Sequence, residues 1–177
     1  MSHEFHEMIG SIINKDTIPG CEILKDSACG GEERVTLFCR KMKHDETEYC
    51  EVDILISKGN EIRVIIEIEE SEDDPNHIFG KFLSSALSMC YIHGDKTWTI
   101  IEKGDRIAFI QIMSTDGLDS PTIKKEQWRN IEQSIRTILP LGNINRYYLF
   151  YGMKDDFENN KNHLKDDLIE TITHASL

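Results

Sequence analysis

Residues 49–69 read YCEVDILISKGNEIRVIIEIE, and the alternation within them decides the fold. In the first half Val52, Ile54 and Ile56 share one face of an extended strand, while Glu51, Asp53 and Leu55 share the other. Lys58-Gly59-Asn60 supplies a tight turn. Ile62, Val64, Ile66 and Ile68 then resume the apolar face, opposite Arg63, Ile65, Glu67 and Glu69. The spacing predicts a hairpin of strands 49–57 and 62–69. A three-residue turn places Asp53 opposite Ile65, one step from Glu67 on the same face. Diagonal neighbours across a strand pair lie about 7–8 Å apart, so Asp53, Glu67 and Glu69 come within reach of one cation. Gathered on one face, the three carboxylates repel each other unless a metal or protons neutralise them. A hard divalent cation such as Mg²⁺ takes one or two such carboxylates, with waters and a substrate phosphate completing its shell.

Working outward, residues 35–42 (VTLFCRKM) are rich in strand formers. Their connection to the hairpin is too short for a crossover helix, so the three strands form an antiparallel meander. Upstream, Phe5, Met8, Ile9, Ile12 and Ile13 recur at helical spacing, and that helix ends before Pro19-Gly20. Residues 18–33, with Gly20, Gly30 and Gly31, read as loop. Downstream, Pro75 opens a helix to about residue 92. Its apolar stripe is Ile78, Phe82, Leu83, Ala86, Leu87 and Cys90, its polar stripe Lys81, Ser84, Ser85 and Ser88, and Gly80 within it implies close packing. Strands 97–101 and 106–113 follow, joined by a turn at Lys103-Gly104-Asp105. Ser120-Pro121 starts a helix that ends before Pro140, residues 145–151 form a strand, and 158–174 a last helix. This order predicts an α/β fold with a mixed sheet flanked by helices, residues 1–177 forming a single domain.

Composition agrees with one soluble domain: 177 residues, 39 % hydrophobic and 29 % charged, are enough for a full core and leave little for a second. The longest apolar run, Tyr147 to Tyr151, is far short of the roughly 20 residues of a membrane helix. The opening residues are polar, and five cysteines without a C-x-x-C pair suit reduced thiols, so a cytoplasmic location is expected. Net charge is −12, yet residues 44–74 hold twelve acids against two bases and account for −10 of it. A concentrated acidic cluster suits a hard cation, although a solvated acidic face has the same composition. The seven histidines show no metal-binding spacing and read as ordinary. No phosphate-binding Gly-rich loop, dinucleotide fingerprint or G-x-S-x-G elbow is present.

Asp53, thirteen intervening residues and then Glu67-Ile68-Glu69, with the halves on successive strands, resembles the PD-(D/E)xK nuclease superfamily. Its common core is a helix, a three-strand antiparallel meander, a helix and a further strand, and the order over residues 3–101 is similar. The resemblance implies a restriction-endonuclease-like fold and a metal-dependent nuclease hydrolysing phosphodiester bonds of DNA. Asp53 and Glu67 would hold Mg²⁺ or Mn²⁺, with the main-chain carbonyl of Ile68 as a further ligand. Val52 stands where the name-giving proline falls, and Glu69 stands where the lysine usually sits. Some members carry Glu there, and in others the lysine has moved to the next helix, where this chain has Lys81. Either residue would serve, Glu69 as base or metal ligand and Lys81 as electrostatic stabiliser. Glu4 and Glu7 on the first helix fit an accessory metal role, with surface charge as the simpler reading. DNA contacts would fall to Arg40, Lys41, Lys43, Lys81, Lys124, Lys125, Arg129 and Arg146, and a two-fold homodimer would let both strands of a duplex be cut. Two alternatives stand beside this: a catalytically inactive member of the fold acting as a binding module, and an unrelated acidic domain binding Ca²⁺ or a basic protein.

Overall fold

A computed structural model of the chain describes residues 3–32, 34–70, 74–94 and 98–177. In chain order the elements are α1 (Glu4–Ile12), β1 (Glu22–Lys25), β2 (Thr36–Phe38), β3 (Glu48–Glu51), β4 (Ile54–Lys58) and β5 (Glu61–Glu69). They continue as α2 (Pro75–Leu87), β6 (Cys90–His93), β7 (Thr99–Ser114), α3 (Pro121–Ile138), β8 (Ile144–Gly152), α4 (Lys154–Glu158) and α5 (Leu164–Ser176). The eight strands form one open sheet in the order β1-β4-β5-β7-β6-β2-β3, with β8 also paired to β7. Only β5–β7 and β7–β8 are parallel; the other pairs are antiparallel. The protein is a mixed α/β fold with a mostly antiparallel sheet flanked by helices.

β5 occupies the middle of this sheet, and both of its faces are covered. Ile65, with Leu55, Phe109 and Tyr147, packs towards Phe82 of α2 and Trp128 and Ile135 of α3. Val64, Ile66 and Ile68, with Ile54, Ile110 and Ile112, pack towards Ile9 of α1, Phe157 of α4 and Leu168 of α5. A strand buried on two sides reads as a nearly continuous apolar run, which is what residues 62–68 are. Full burial of each such isoleucine contributes about 1.5–3 kcal/mol. Against that background the carboxylates of Glu67 and Glu69 are costly to place and need a compensating charge.

The predicted single strand over 49–57 is divided. β3 pairs with β2 at one edge, whereas β4 lies between β1 and β5 on the far side of the sheet. The chain changes neighbours at Val52-Asp53, where Val52 N donates to Val35 O and Asp53 O accepts from Asp26 N. Main-chain groups that leave one ladder thus find partners elsewhere, as buried backbone must. The presumed loop over 18–33 contains β1, whose four residues pair with β4. The meander flanking the acidic motif is therefore β1-β4-β5, and β2 is a short strand beyond it. Its predicted extension to residue 42 fails because the polar run after Phe38 turns away, with Thr47 Oγ1 donating to Met42 O.

Other expectations shift in similar ways. The turn between β4 and β5 is two residues long, Lys58 pairing with Glu61, and Arg63 is the extra residue of a bulge. Gly59 takes the positive φ (61°) that this turn requires. Helix α2 stops at Leu87, and Cys90, Tyr91 and Ile92 instead form buried β6 between β2 and β7. Gly80 has nothing near its Cα for a side chain to meet, so it does not mark close packing. The predicted turn at Lys103-Gly104-Asp105 is absent: β7 runs through it for 16 residues. A bulge between Lys103 and Ala108 lets its first part pair with β6 and its second with β8. The start of the predicted strand at Thr97 lies outside the described residues, as do Glu72 and Asp73 of the acidic run. The last helix is broken at Asn160, Asn162 and His163, which take positive φ, so α4 and α5 replace one element. No helix among the described residues is long and apolar enough to cross a membrane.

Candidate functional site

Asp53, Glu67 and Glu69 come together at one end of the β4–β5 pair. The shorter turn and the bulge each move the register by one, so the position across from Asp53 is Glu67 rather than Ile65, closer than the sequence implied. Asp53 lies just beyond the last ladder pair, Ile54 with Ile66, and its side chain takes over there: Oδ2 accepts from Ile68 N at 2.6 Å. The N–H and C=O of an extended residue point to the same side, so the Ile68 carbonyl also faces the strip that β4 vacates.

Lys81, from the middle of α2, reaches over this face. Its Nζ lies 2.6 Å from Glu69 Oε1 and 3.4 Å from Glu67 Oε2. The reach depends on α2 being fixed at its far end, where half-buried Lys103 Nζ donates to Ser85 O, Ala86 O and Gly142 O at 2.6–3.0 Å. Glu69 and Lys81, expected as alternatives, are in contact with each other.

Burial is deeper than a cleft of partly exposed carboxylates would give. Glu67 is 1 % exposed and Glu69 6 %, while the Asp53 side chain retains 15 %. Burial pushes the Glu67 carboxyl well above the usual glutamate value; Lys81 opposes this, and Asp53 and Glu69 add to it. The Asp53 carboxyl is also raised, burial outweighing the Ile68 N–H, Lys81 and His6. Burial alone would depress Lys81, but Glu67 and Glu69 outweigh it and hold the ammonium above its ordinary value. Lys81 is thus a fixed positive charge and cannot act as the base.

Three carboxyl groups share one ammonium, so burial favours a proton on Glu67 wherever no further positive charge is present. Glu67 Oε1 is buried without a hydrogen-bond donor. An orphaned acceptor oxygen in a group of three carboxyls is a donor set that a hard divalent cation fits, and Asp53, Glu67 and the Ile68 carbonyl would hold it.

Residues that sequence reasoning passed over surround this group. His6, on α1, sets Nδ1 2.8 Å from Glu70 Oε1 and Nε2 3.7 Å from Asp53 Oδ1. Glu70 Oε1 also accepts from Phe5 N and His6 N, closing the N-terminus of α1. These bonds overcome the effect of burial and keep the Glu70 carboxyl below its ordinary value. Nε2 is the ring nitrogen turned towards Asp53. His3, His6 and Glu70 each offer a ligand atom, all within 4.8 Å of one another, a set that suits a transition metal better than Mg²⁺. On β7, Gln111 pairs with Glu67 in register; Tyr147 Oη donates to its Oε1 at 2.7 Å, and its Nε2 is buried without a partner. The only sequence signal for Gln111 was a lone amide in the apolar run 107–113, and for His6 there was none.

Other expected participants lie elsewhere. Glu4 pairs with Lys154 at 3.1 Å, and Glu7 is exposed on α1. Lys41 is bound to Glu102 at 2.6 Å, and Arg146 lies on the register row of Ala108, three residues short of Gln111. Lys125 and Arg129 of α3 stand on the face that carries Lys81. Cys29, Cys50 and Cys90 join three different apolar clusters. Comparison with protein-family models, curated proteins and solved structures gave no match.

Proposed function

We propose that the protein is a metal-dependent nuclease of the PD-(D/E)xK kind that hydrolyses phosphodiester bonds of DNA. The observation that carries this reading is the convergence of Asp53, Glu67, Glu69 and Lys81, with Lys81 Nζ between the two glutamates. The element order supports it. Helix α1, the antiparallel set β1-β4-β5, helix α2 and the parallel strand β7 follow the core order of restriction-endonuclease-like folds, with β2, β3 and β6 as additions. Five free cysteines suit a reducing compartment, and we place the protein in the cytoplasm.

Mg²⁺ or Mn²⁺, when bound, would supply Lewis-acid stabilisation of the charge that develops on the phosphate and leaving oxygen. Asp53 and Glu67 would hold it, and the Ile68 N–H locks the Asp53 carboxylate in place. Lys81 contributes a second positive charge to the same phosphate. Glu69, in contact with Lys81, orients the attacking water and accepts its proton. His6 steers Asp53 from the other side.

The test is cleavage of linear, branched and supercoiled DNA by purified protein with Mg²⁺ or Mn²⁺, alongside Asp53→Asn and Glu67→Gln. Cleavage by the wild type and none by the variants is expected. Absence of cleavage under every condition would leave a non-catalytic binding module of the same fold, a reading favoured by the near-complete burial of Glu67.

A further inference from the structure

On the face that carries Glu69, the register row runs from Glu69 of β5 to Met113 of β7 and on to Tyr151 of β8. Parallel strands in register turn paired side chains to the same side, and Met113 and Tyr151 belong to the core cluster beneath α2 and α3. Two strand spacings of about 4.8 Å put Tyr151 roughly 10 Å from Glu69. Tyr151 is built in: its ring packs on buried Trp128 with centroids 6.1 Å apart.

Two cations of α3 converge on that ring. Lys125 Nζ lies 5.5 Å and the Arg129 guanidinium 5.7 Å from the ring centre. Arg129 Nε and Nη2 both donate to Tyr151 Oη, at 3.0 and 2.6 Å. Neither cation is paired with a carboxylate among the described residues, in a chain of net charge −12. Helix α3 carries no acid in its first turn, and its N-cap Ser120 makes no capping bond through its side chain. Holding two like charges over one ring costs repulsion that a bound anion relieves.

We propose that Lys125, Arg129 and Tyr151 form a phosphate subsite for the DNA backbone, holding a phosphate that flanks the one at Asp53, Glu67 and Glu69. This rests on the nuclease reading and adds where the strand runs: from the acidic cluster across β7 to α3. The acidic cluster repels DNA, so affinity must come from fixed cations nearby on the same face. The Tyr151 hydroxyl holds the Arg129 fork in advance, which leaves its remaining N–H groups for a phosphate. The Lys125 ammonium adds a point charge.

The experiment compares wild type with Lys125→Ala/Arg129→Ala, using duplex DNA and bis(p-nitrophenyl) phosphate, a diester with no flanking phosphate. DNA binding is followed in the Asp53→Asn background as a function of salt. Loss of the contact to that one phosphate should make the slope of log K against log salt shallower by about 0.9. Affinity should fall about tenfold or more at low salt, and KM for DNA should rise while hydrolysis of the small diester is unchanged. An unchanged slope and KM in the double variant, with wild type cutting DNA, overturns the subsite alone. Equal losses on DNA and on the small diester also overturn it, because they indicate a general defect. A wild type that neither binds nor cuts DNA overturns the nuclease reading and the subsite together. A wild type that binds without cutting removes the nuclease reading, and the salt slope still decides the subsite.

Discussion

Asp53 Oδ2 accepts the main-chain N–H of Ile68 at 2.6 Å, so a side chain satisfies the sheet edge where strand β4 has ended. The same carboxylate is therefore both a structural acceptor and the proposed metal ligand. These roles separate by substitution. Asp53→Ala leaves a half-buried N–H without its acceptor and should cost about 1–3 kcal/mol in urea unfolding. Asp53→Asn keeps an acceptor oxygen and should stay within about 1 kcal/mol of wild type. Both should abolish Mg²⁺-dependent cleavage.

Glu67 gives the protein a distinctive pH dependence. Its carboxyl is raised in the folded state, so between its unfolded and folded values the native chain holds a proton that the unfolded chain has released. Stability therefore falls as pH climbs above about 4.5, the ordinary glutamate value, and levels off once the folded group ionises. Glu67→Gln should remove most of this slope and be more stable than wild type at pH 7. Saturating Mg²⁺ should raise the wild-type melting temperature at pH 7 and have little effect on the variant. Thermal unfolding from pH 4 to 8, with and without metal, reads both.

The Lys81–Glu69 contact should behave as a charge pair that is sensitive to polarity as well as to position. Lys81→Met removes the ammonium between two buried glutamates and should cost about 3–5 kcal/mol without metal, with cleavage reduced at least about a hundredfold. Glu69→Lys sets two ammonium groups against each other and should also impair folding and activity. The exchange Glu69→Lys/Lys81→Glu restores one charge of each sign and should recover stability and part of the cleavage rate. A double-mutant cycle showing no coupling between the two positions would contradict the arrangement.

Gln111 and Tyr147 test the polar layer beneath Glu67. Tyr147→Phe leaves Gln111 Oε1 buried without a donor and should destabilise by about 1–3 kcal/mol. Gln111→Leu likewise orphans the Tyr147 hydroxyl. The double replacement removes both groups and should be closer to wild type than either single variant, measured by chemical unfolding.

The acidic motif was legible because a strand places alternate residues on one face whatever surrounds it. Asp53, Glu67 and Glu69 share parity, and their common face followed from that alone. The apolar positions of α1, β5 and the first turns of α2 were readable for the same reason, since each pattern is written within a dozen residues. Less local features were missed. The 49–57 segment has one continuous alternation, yet it serves two separate parts of the sheet. β1 was hidden among glycines because its four residues carry little pattern of their own. The turn expected at Lys103-Gly104-Asp105 became part of a long bulged strand because β5, β6 and β8 all pair with it.

By itself the sequence determined which side chains could meet: strand alternation and helix periodicity are steric properties of the local backbone. The tertiary structure decided which of them do. An unpaired Arg63 set the register that brings Asp53 level with Glu67. Packing of α2 carried Lys81 onto Glu67 and Glu69, and α1 carried His6 to Asp53 from 47 residues away. Covering both faces of β5 turned an outwardly polar stripe into a buried, underneutralised one. Burial and charge compensation are sums over neighbours distant in the chain, so they exist only once the helices have closed over the sheet.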